Sequence, residues 1–164
     1  LEVPTVFGKA GEVLKKTVEQ YRPDAVVCVG QAGGRAAITP EMIAVNIMDA
    51  RIPDNDGNKP CHEFIIKEGR EAYFSSLPVK DIEKNLNDNG IPSSVSYHAG
   101  TFVCNYLMYC LMNLINTKYP NMRGGFVHVP YSTEQVKNRE TPMPSMELNE
   151  ITRGLEIIAE TLAK

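Results

Sequence analysis

Ala25-Val26-Val27-Cys28-Val29-Gly30-Gln31-Ala32-Gly33-Gly34-Arg35 is the stretch on which the fold turns. Its apolar start is too short for a helix and has no polar face, which suits a strand buried on both sides in a parallel sheet. Working backward, Ala10, Val13, Leu14, Thr17, Val18 and Tyr21 repeat at the three-four spacing of one helical face, and Pro23 closes that helix. Working forward, Ile43, Val45 and Ile47 alternate with Ala44, Asn46 and Met48, predicting a second strand. Arg51 to Pro60 is a turn-rich loop. Its Asp54-Asn55-Asp56-Gly57 fragment does not make a calcium loop, because Ile65 stands where the final Glu is needed.

The same alternation continues to the end of the chain. Pro78 suits the first turn of a helix with Val79, Ile82 and Leu86 inward, stopped by Asn89-Gly90. Ser93–Tyr97 is expected as a short strand, followed by a long helix through Leu107, Met108, Leu111, Leu114 and Ile115. Gly125–Val129 is expected as another strand, and Leu148, Ile151, Leu155, Ile158 and Leu162 stripe a last helix. Alternating helices and strands predict an α/β fold, a three-layer αβα sandwich around a mainly parallel twisted sheet.

A chain of 164 residues is long enough for one core, burying roughly 70% of the surface of its unfolded form. With 43% hydrophobic and 23% charged residues and a net charge of -3, it has the make-up of a globular domain with no electrostatic bias toward nucleic acid or an anionic membrane. The longest apolar stretch, Phe102 to Ile115, is broken by Asn105 and Asn113 and falls short of the ~20 residues of a membrane span. The first residues lack a basic start and an apolar run, so a cytoplasmic location is the expectation. Cys28, Cys61, Cys104 and Cys110 form no Cys-x-x-Cys pair and are read as reduced thiols.

In such sheets, chemistry gathers beyond the carboxyl ends of the strands. The Gly30–Arg35 loop has neither P-loop nor dinucleotide spacing and reads as a tight crossing that needs positive φ. Cys104 is more informative. With Thr101 as N-cap it falls in the first turn of the long helix, where free N–H groups and the helix dipole favour a thiolate and offer donors to an oxyanion. Cys28 and Cys110 read as small buried hydrophobes. Cys61 with His62 and Glu63 is a weak metal patch, since three adjacent residues rarely point at one centre. A cysteine nucleophile needs a base from among His62, His98 and His128. His98 belongs to a turn, and His128 ends a buried strand before Pro130. No spacing picks the orienting third group from 20 acidic residues; Glu41 is one of several.

Three stretches together resemble the type I pyroglutamyl peptidases, a cysteine exopeptidase family. Gly30 to Glu41, continuing Ile43-Ala44-Val45-Asn46, is similar to the family's glutamate motif. Ser96 with Ala99-Gly100-Thr101-Phe102-Val103-Cys104-Asn105 resembles its cysteine motif, and Gly125 to Tyr131 with Glu134-Gln135 its histidine segment. Asp49 to Asn55 is a further family-like loop. The resemblance runs over residues 1–164 as a single domain. It implies Cys104 as nucleophile, His128 as base and acid, Glu41 as orienter, and substrate contacts at Gln31, Ile52, Phe102 and Val103. It implies peptide substrates with N-terminal pyroglutamate and no cofactor or metal. Two departures stand out: Met42 replaces an often basic residue, and the family's N-terminal strand, loop and helix are missing from the match. The other readings are a non-catalytic α/β binding domain that uses the Gly30–Arg35 loop, and an inactive truncated member of the family. The apolar start and 7 methionines permit a homo-oligomer.

Overall fold

The computed structural model describes residues 1–163. In chain order it has α1 (Lys9–Tyr21), β1 (Ala25–Gln31), β2 (Thr39–Pro40), β3 (Ile43–Val45), β4 (Ala72–Phe74), α2 (Val79–Asp88), α3 (Val103–Lys118), β5 (Arg123–Val129), β6 (Tyr131–Ser132), α4 (Thr133–Val136), β7 (Ser145–Met146) and α5 (Leu148–Leu162). The long pair is β1 and β5, parallel in register from Ala25↔Arg123 to Gln31↔Val129, with β5 in the middle of the sheet and β1 at its edge. The expected burial of β1 on both sides does not hold, since only Cys28 is buried and Val29 is exposed. β2 lies antiparallel on the other side of β5, with Thr39 opposite His128 and Pro40 opposite Val127. Pro40 supplies only its carbonyl, which accepts from Ser96 N at 2.9 Å on the outer side of β2.

Strand alternation builds the layers. Successive side chains point to opposite faces, so Cys28 and Phe126 meet Leu14, Val18, Met108, Leu111 and Ile115 from α1 and α3. Val27 and Val127 meet Ile82, Leu86, Ile151 and Ile158 from α2 and α5 on the other face. This is the expected αβα sandwich. The sheet is mixed, with its long pair parallel.

Four local expectations change. Ser93–Tyr97 forms only isolated parallel bridges, Ile38↔Ser93 and Glu41↔Ser96. Its backbone still bonds to the segment around β2, through Ile38 N to Pro92 O at 2.9 Å, Ser96 N to Pro40 O at 2.9 Å and Met42 N to Ser96 O at 2.7 Å. Side chains of α2 take the outward groups: Asn87 accepts from Ser93 N at 3.0 Å and donates to Ser93 O at 2.9 Å, and Glu83 accepts from Val95 N at 2.9 Å. The strand at Ile43 ends at Val45 and pairs antiparallel with β4, a strand with no periodic signal of its own. Pro78 stands one residue ahead of α2. In α5 the buried face is Ile151, Gly154, Ile157, Ile158, Thr161 and Leu162, while Leu148 is exposed.

The first turn of α3 is anchored by Asn105, which is fully buried. Its Nδ2 donates to Val45 O at 2.9 Å and Ile47 O at 3.1 Å, and its Oδ1 accepts from Val45 N at 2.9 Å. One side chain thus ties the helix start to the end of β3. Asn105→Ala strands buried backbone groups that each cost about 1–3 kcal/mol when unpaired. The urea midpoint of the variant should therefore fall by the equivalent of about 3 kcal/mol with little change in slope. A midpoint equal to wild type would show that this anchor carries no stability.

Candidate active site

Glu41 sits just past β2, held by its own N–H donating to Phe126 O at 2.9 Å. That places its carboxylate beside His128 on β5, and Nδ1 of His128 lies 2.6 Å from Glu41 Oε1. Both side chains are buried, Glu41 completely. Nδ1–H donating to the carboxylate is the tautomer that leaves Nε2 free as a base. The imidazole also rests against the Phe126 ring, with centroids 4.8 Å apart. A buried carboxylate stays charged only with compensating donors. Burial alone pushes the Glu41 carboxyl up, but the hydrogen bonds from His128 and Arg35, with the nearby Ser96 hydroxyl, outweigh it and leave the group below its ordinary value. NH1 of Arg35, from the glycine loop, donates to Glu41 Oε1 at 2.7 Å.

Cys104 is the second residue of α3, after Val103. Thr101 is not the N-cap. Phe102 holds that position, and the Thr101 hydroxyl donates instead to Asp49 O at 2.7 Å, fastening the turn to the neighbouring loop. The thiol lies against Gly30, whose strand partner is His128. A Cβ built on Gly30 would come within 3.2 Å of Cys104 Sγ and 2.7 Å of Phe126 Cζ. Gly30 therefore matters as the gap through which strand and nucleophile approach, and positive φ in this loop is confined to Gly34.

Burial works against the helix-dipole expectation for the thiol. Burial pushes the Cys104 thiol up to about 11, the Glu41 charge adds to this, and Arg35 opposes it. A thiol raised in this way calls for a base to make it a nucleophile. Burial also raises Cys28, to about 12, and Cys110, to about 11, in line with their reading as packed hydrophobes.

The expected substrate contacts lie in different settings. Gln31 ends β1 with its Nε2 donating to Gln135 Oε1 at 2.7 Å, an oxygen that also accepts from Ser132 N at 2.8 Å. Phe102 is half-buried and meets Phe7 edge-to-face at 5.4 Å. Val103 is buried in the core, so its side chain faces away from solvent. Ile52 is exposed on its loop. His98 is turned to its own loop, its Nδ1 accepting from Gly100 N at 3.2 Å. At the suspected metal patch, Asp49 rather than Glu63 joins Cys61 and His62, with ligand atoms within 4.8 Å of one another. Cys61 and His62 are open to water. Arg35 and Ser96 stood inside the quoted motifs without a role, because nothing in their spacing tells which carboxylate they would meet. A groove of about 720 Å³ runs along β1 beside Leu155 and Ile158, and none of these groups lines it. Among the described residues no helix is long and apolar enough to cross a membrane.

These thiol states lead to a labelling prediction. Iodoacetamide at neutral pH should modify exposed Cys61 before Cys104. The rate at Cys104 should climb about tenfold per pH unit toward 11, because only the thiolate reacts. Peptide mapping by mass spectrometry reads both sites, and faster labelling of Cys104 below pH 7 would mean that the helix terminus and His128 overcome burial.

The family model for pyroglutamyl peptidase matches residues 1–164. The pyrrolidone-carboxylate peptidase of Clostridium perfringens is 52% identical over 157 residues, covering 96% of this chain and 73% of that protein. Its counterpart in Enterococcus faecalis is 49% identical over 164 residues, covering 100% of this chain and 76% of the relative. Among solved structures, pyroglutamyl peptidase I from Bacillus amyloliquefaciens superposes with a TM-score of 0.93 at 50% identity, covering 97% of this chain and 75% of that one. The pyrrolidone carboxyl peptidase from Thermococcus litoralis gives 0.93 at 40% identity over 97% of this chain and 74% of the other. A match of this extent, joined to a buried carboxylate–imidazole pair beside a helix-borne cysteine, means that this chain belongs to the pyroglutamyl peptidase family.

Proposed function

We propose that this chain hydrolyses N-terminal pyroglutamyl residues from peptides, with Cys104 as nucleophile, His128 as general base and then acid, and Glu41 orienting the imidazole. The observation that carries the assignment is the buried 2.6 Å contact between Glu41 Oε1 and His128 Nδ1. In this reading Nε2 of His128 takes the proton from the Cys104 thiol as Sγ attacks the scissile carbonyl carbon. Base assistance is needed because the resting thiol is pushed up to about 11. The oxyanion forms in front of the first turn of α3, whose free N–H groups are its candidate donors. The imidazolium then protonates the departing amine, and the C–N bond breaks to leave a thioester on Cys104. Water, deprotonated by the same nitrogen, attacks the thioester, releases pyroglutamate and restores the thiol.

A pyroglutamyl ring is a compact neutral lactam, which an apolar wall and a single amide partner recognise better than an ion pair does. Phe102 and Gln31 are the corresponding choices. Val103 can take part only through its backbone, since its side chain is in the core. Ile52 would meet substrate from the exposed loop.

A fluorogenic pyroglutamyl amide tests the reading. Cys104→Ala should abolish cleavage, and His128→Ala should lower kcat/KM by on the order of 10²- to 10⁴-fold. Turnover in Cys104→Ala equal to wild type would refute the assignment.

A further inference from the structure

The Glu41 carboxylate is bonded asymmetrically. Oε1 receives both Nδ1 of His128 at 2.6 Å and NH1 of Arg35 at 2.7 Å, while Oε2 is buried with no hydrogen-bond partner. Arg35 is itself held: the same NH1 also donates to the Thr39 hydroxyl on β2. Its loop turns back through Gly34, at φ 89°, and Arg35 N donates to Ala32 O at 3.3 Å. On the opposite side Ser96 is bridged to Glu41 through the backbone. Its hydroxyl donates to His98 O at 3.2 Å and lies close enough to the Glu41 carboxyl to help lower its pKa.

We propose that Arg35 is a positioning residue of this catalytic centre, clamping the Glu41 carboxylate against Nδ1 of His128, with the Ser96 hydroxyl as the donor available to the second oxygen. The inference rests on the peptidase reading for its kinetic part, while its chemical part does not. It also gives the Gly-Gly-Arg turn a purpose other than phosphate binding, namely delivery of a guanidinium to a buried anion. Arg35 is partly open to solvent at 30% side-chain exposure, whereas Glu41 has none, so the cation keeps some hydration while the anion relies on it. Among the described residues, the titratable or charged groups acting on this carboxylate and its neighbour are His128 from β5, Arg35 from the loop and Cys104 from the first turn of α3. His98 is engaged with Gly100 instead.

The charge signs define the test. With Arg35 gone, Glu41 loses a cation that lowers its pKa, and Cys104 loses one that lowers its own. Arg35→Gln, Arg35→Lys and Ser96→Ala are compared with wild type in pH profiles of kcat/KM on a pyroglutamyl amide, in Cys104 alkylation rate at fixed pH, and in thermal melting. Arg35→Gln should lower kcat on the order of 10²-fold with KM little changed. Its acid limb should move to higher pH as Glu41 becomes easier to protonate, and Cys104 should alkylate more slowly. Arg35→Lys should return the limb toward wild type, and Ser96→Ala should move it the same way by a smaller amount. A variant that melts earlier yet keeps the wild-type limb and alkylation rate would overturn the proposal by reducing Arg35 to a structural role. If Arg35→Gln does not fold, Ser96→Ala still reads the same carboxylate, and an unshifted limb there overturns the clamp. A wild-type chain that cleaves nothing while Arg35→Gln still slows alkylation would refute the peptidase reading and leave the positioning role supported.

Discussion

A carboxylate with no solvent exposure is the constraint around which this molecule is arranged. Taking Glu41 out of water would by itself drive it to the neutral acid, which could not hold an imidazole in the same way. Everything that touches it opposes that outcome. His128 comes from β5, Arg35 from the glycine loop and Ser96 from the segment bridged to it, so three separate stretches must be in place before the charge is tolerable. The pair is therefore a consequence of the assembled fold as much as a part of the chemistry.

Geometry at the strand ends follows from small residues and one amide. Gly30 lets β1 pass close to the thiol and to Phe126, where any side chain would force them apart. Asn105, one residue beyond Cys104, satisfies backbone groups at Val45 and Ile47 and so fixes where α3 begins. The same burial that protects this arrangement raises the thiol's pKa, which sets the nucleophile in competition with its own environment. A neighbouring base resolves that competition without requiring a thiolate at rest.

Much of this was legible from residue patterns. The long helices and β5 announce themselves through periodicity, because a helix buries every third or fourth residue and a doubly covered strand buries nearly all of its own. β1 reads the same way in sequence, yet it lies at the edge of the sheet with only Cys28 buried and Val29 exposed. Ser93–Tyr97 lies extended and parallel to residues 38–42, as a strand would, but its contact shrinks to isolated bridges because Asn87 and Glu83 side chains on α2 take its outward backbone groups, and these leave no mark in the local pattern. The partnership of β3 with β4 was invisible because strand pairing depends on register between distant segments. Thr101 looked like a helix cap, yet its hydroxyl goes to Asp49 O across the site.

The chain's own order of residues determined the layer architecture, the candidate cysteine and the family motifs, since these depend on local spacing along the backbone. The family motifs pointed to Glu41, but only the tertiary structure showed its carboxylate 2.6 Å from His128 Nδ1, Arg35 sharing the same oxygen, and burial pushing the thiol up. Each of these depends on distance and burial between segments far apart in the chain, and electrostatic interactions strengthen where water has been excluded.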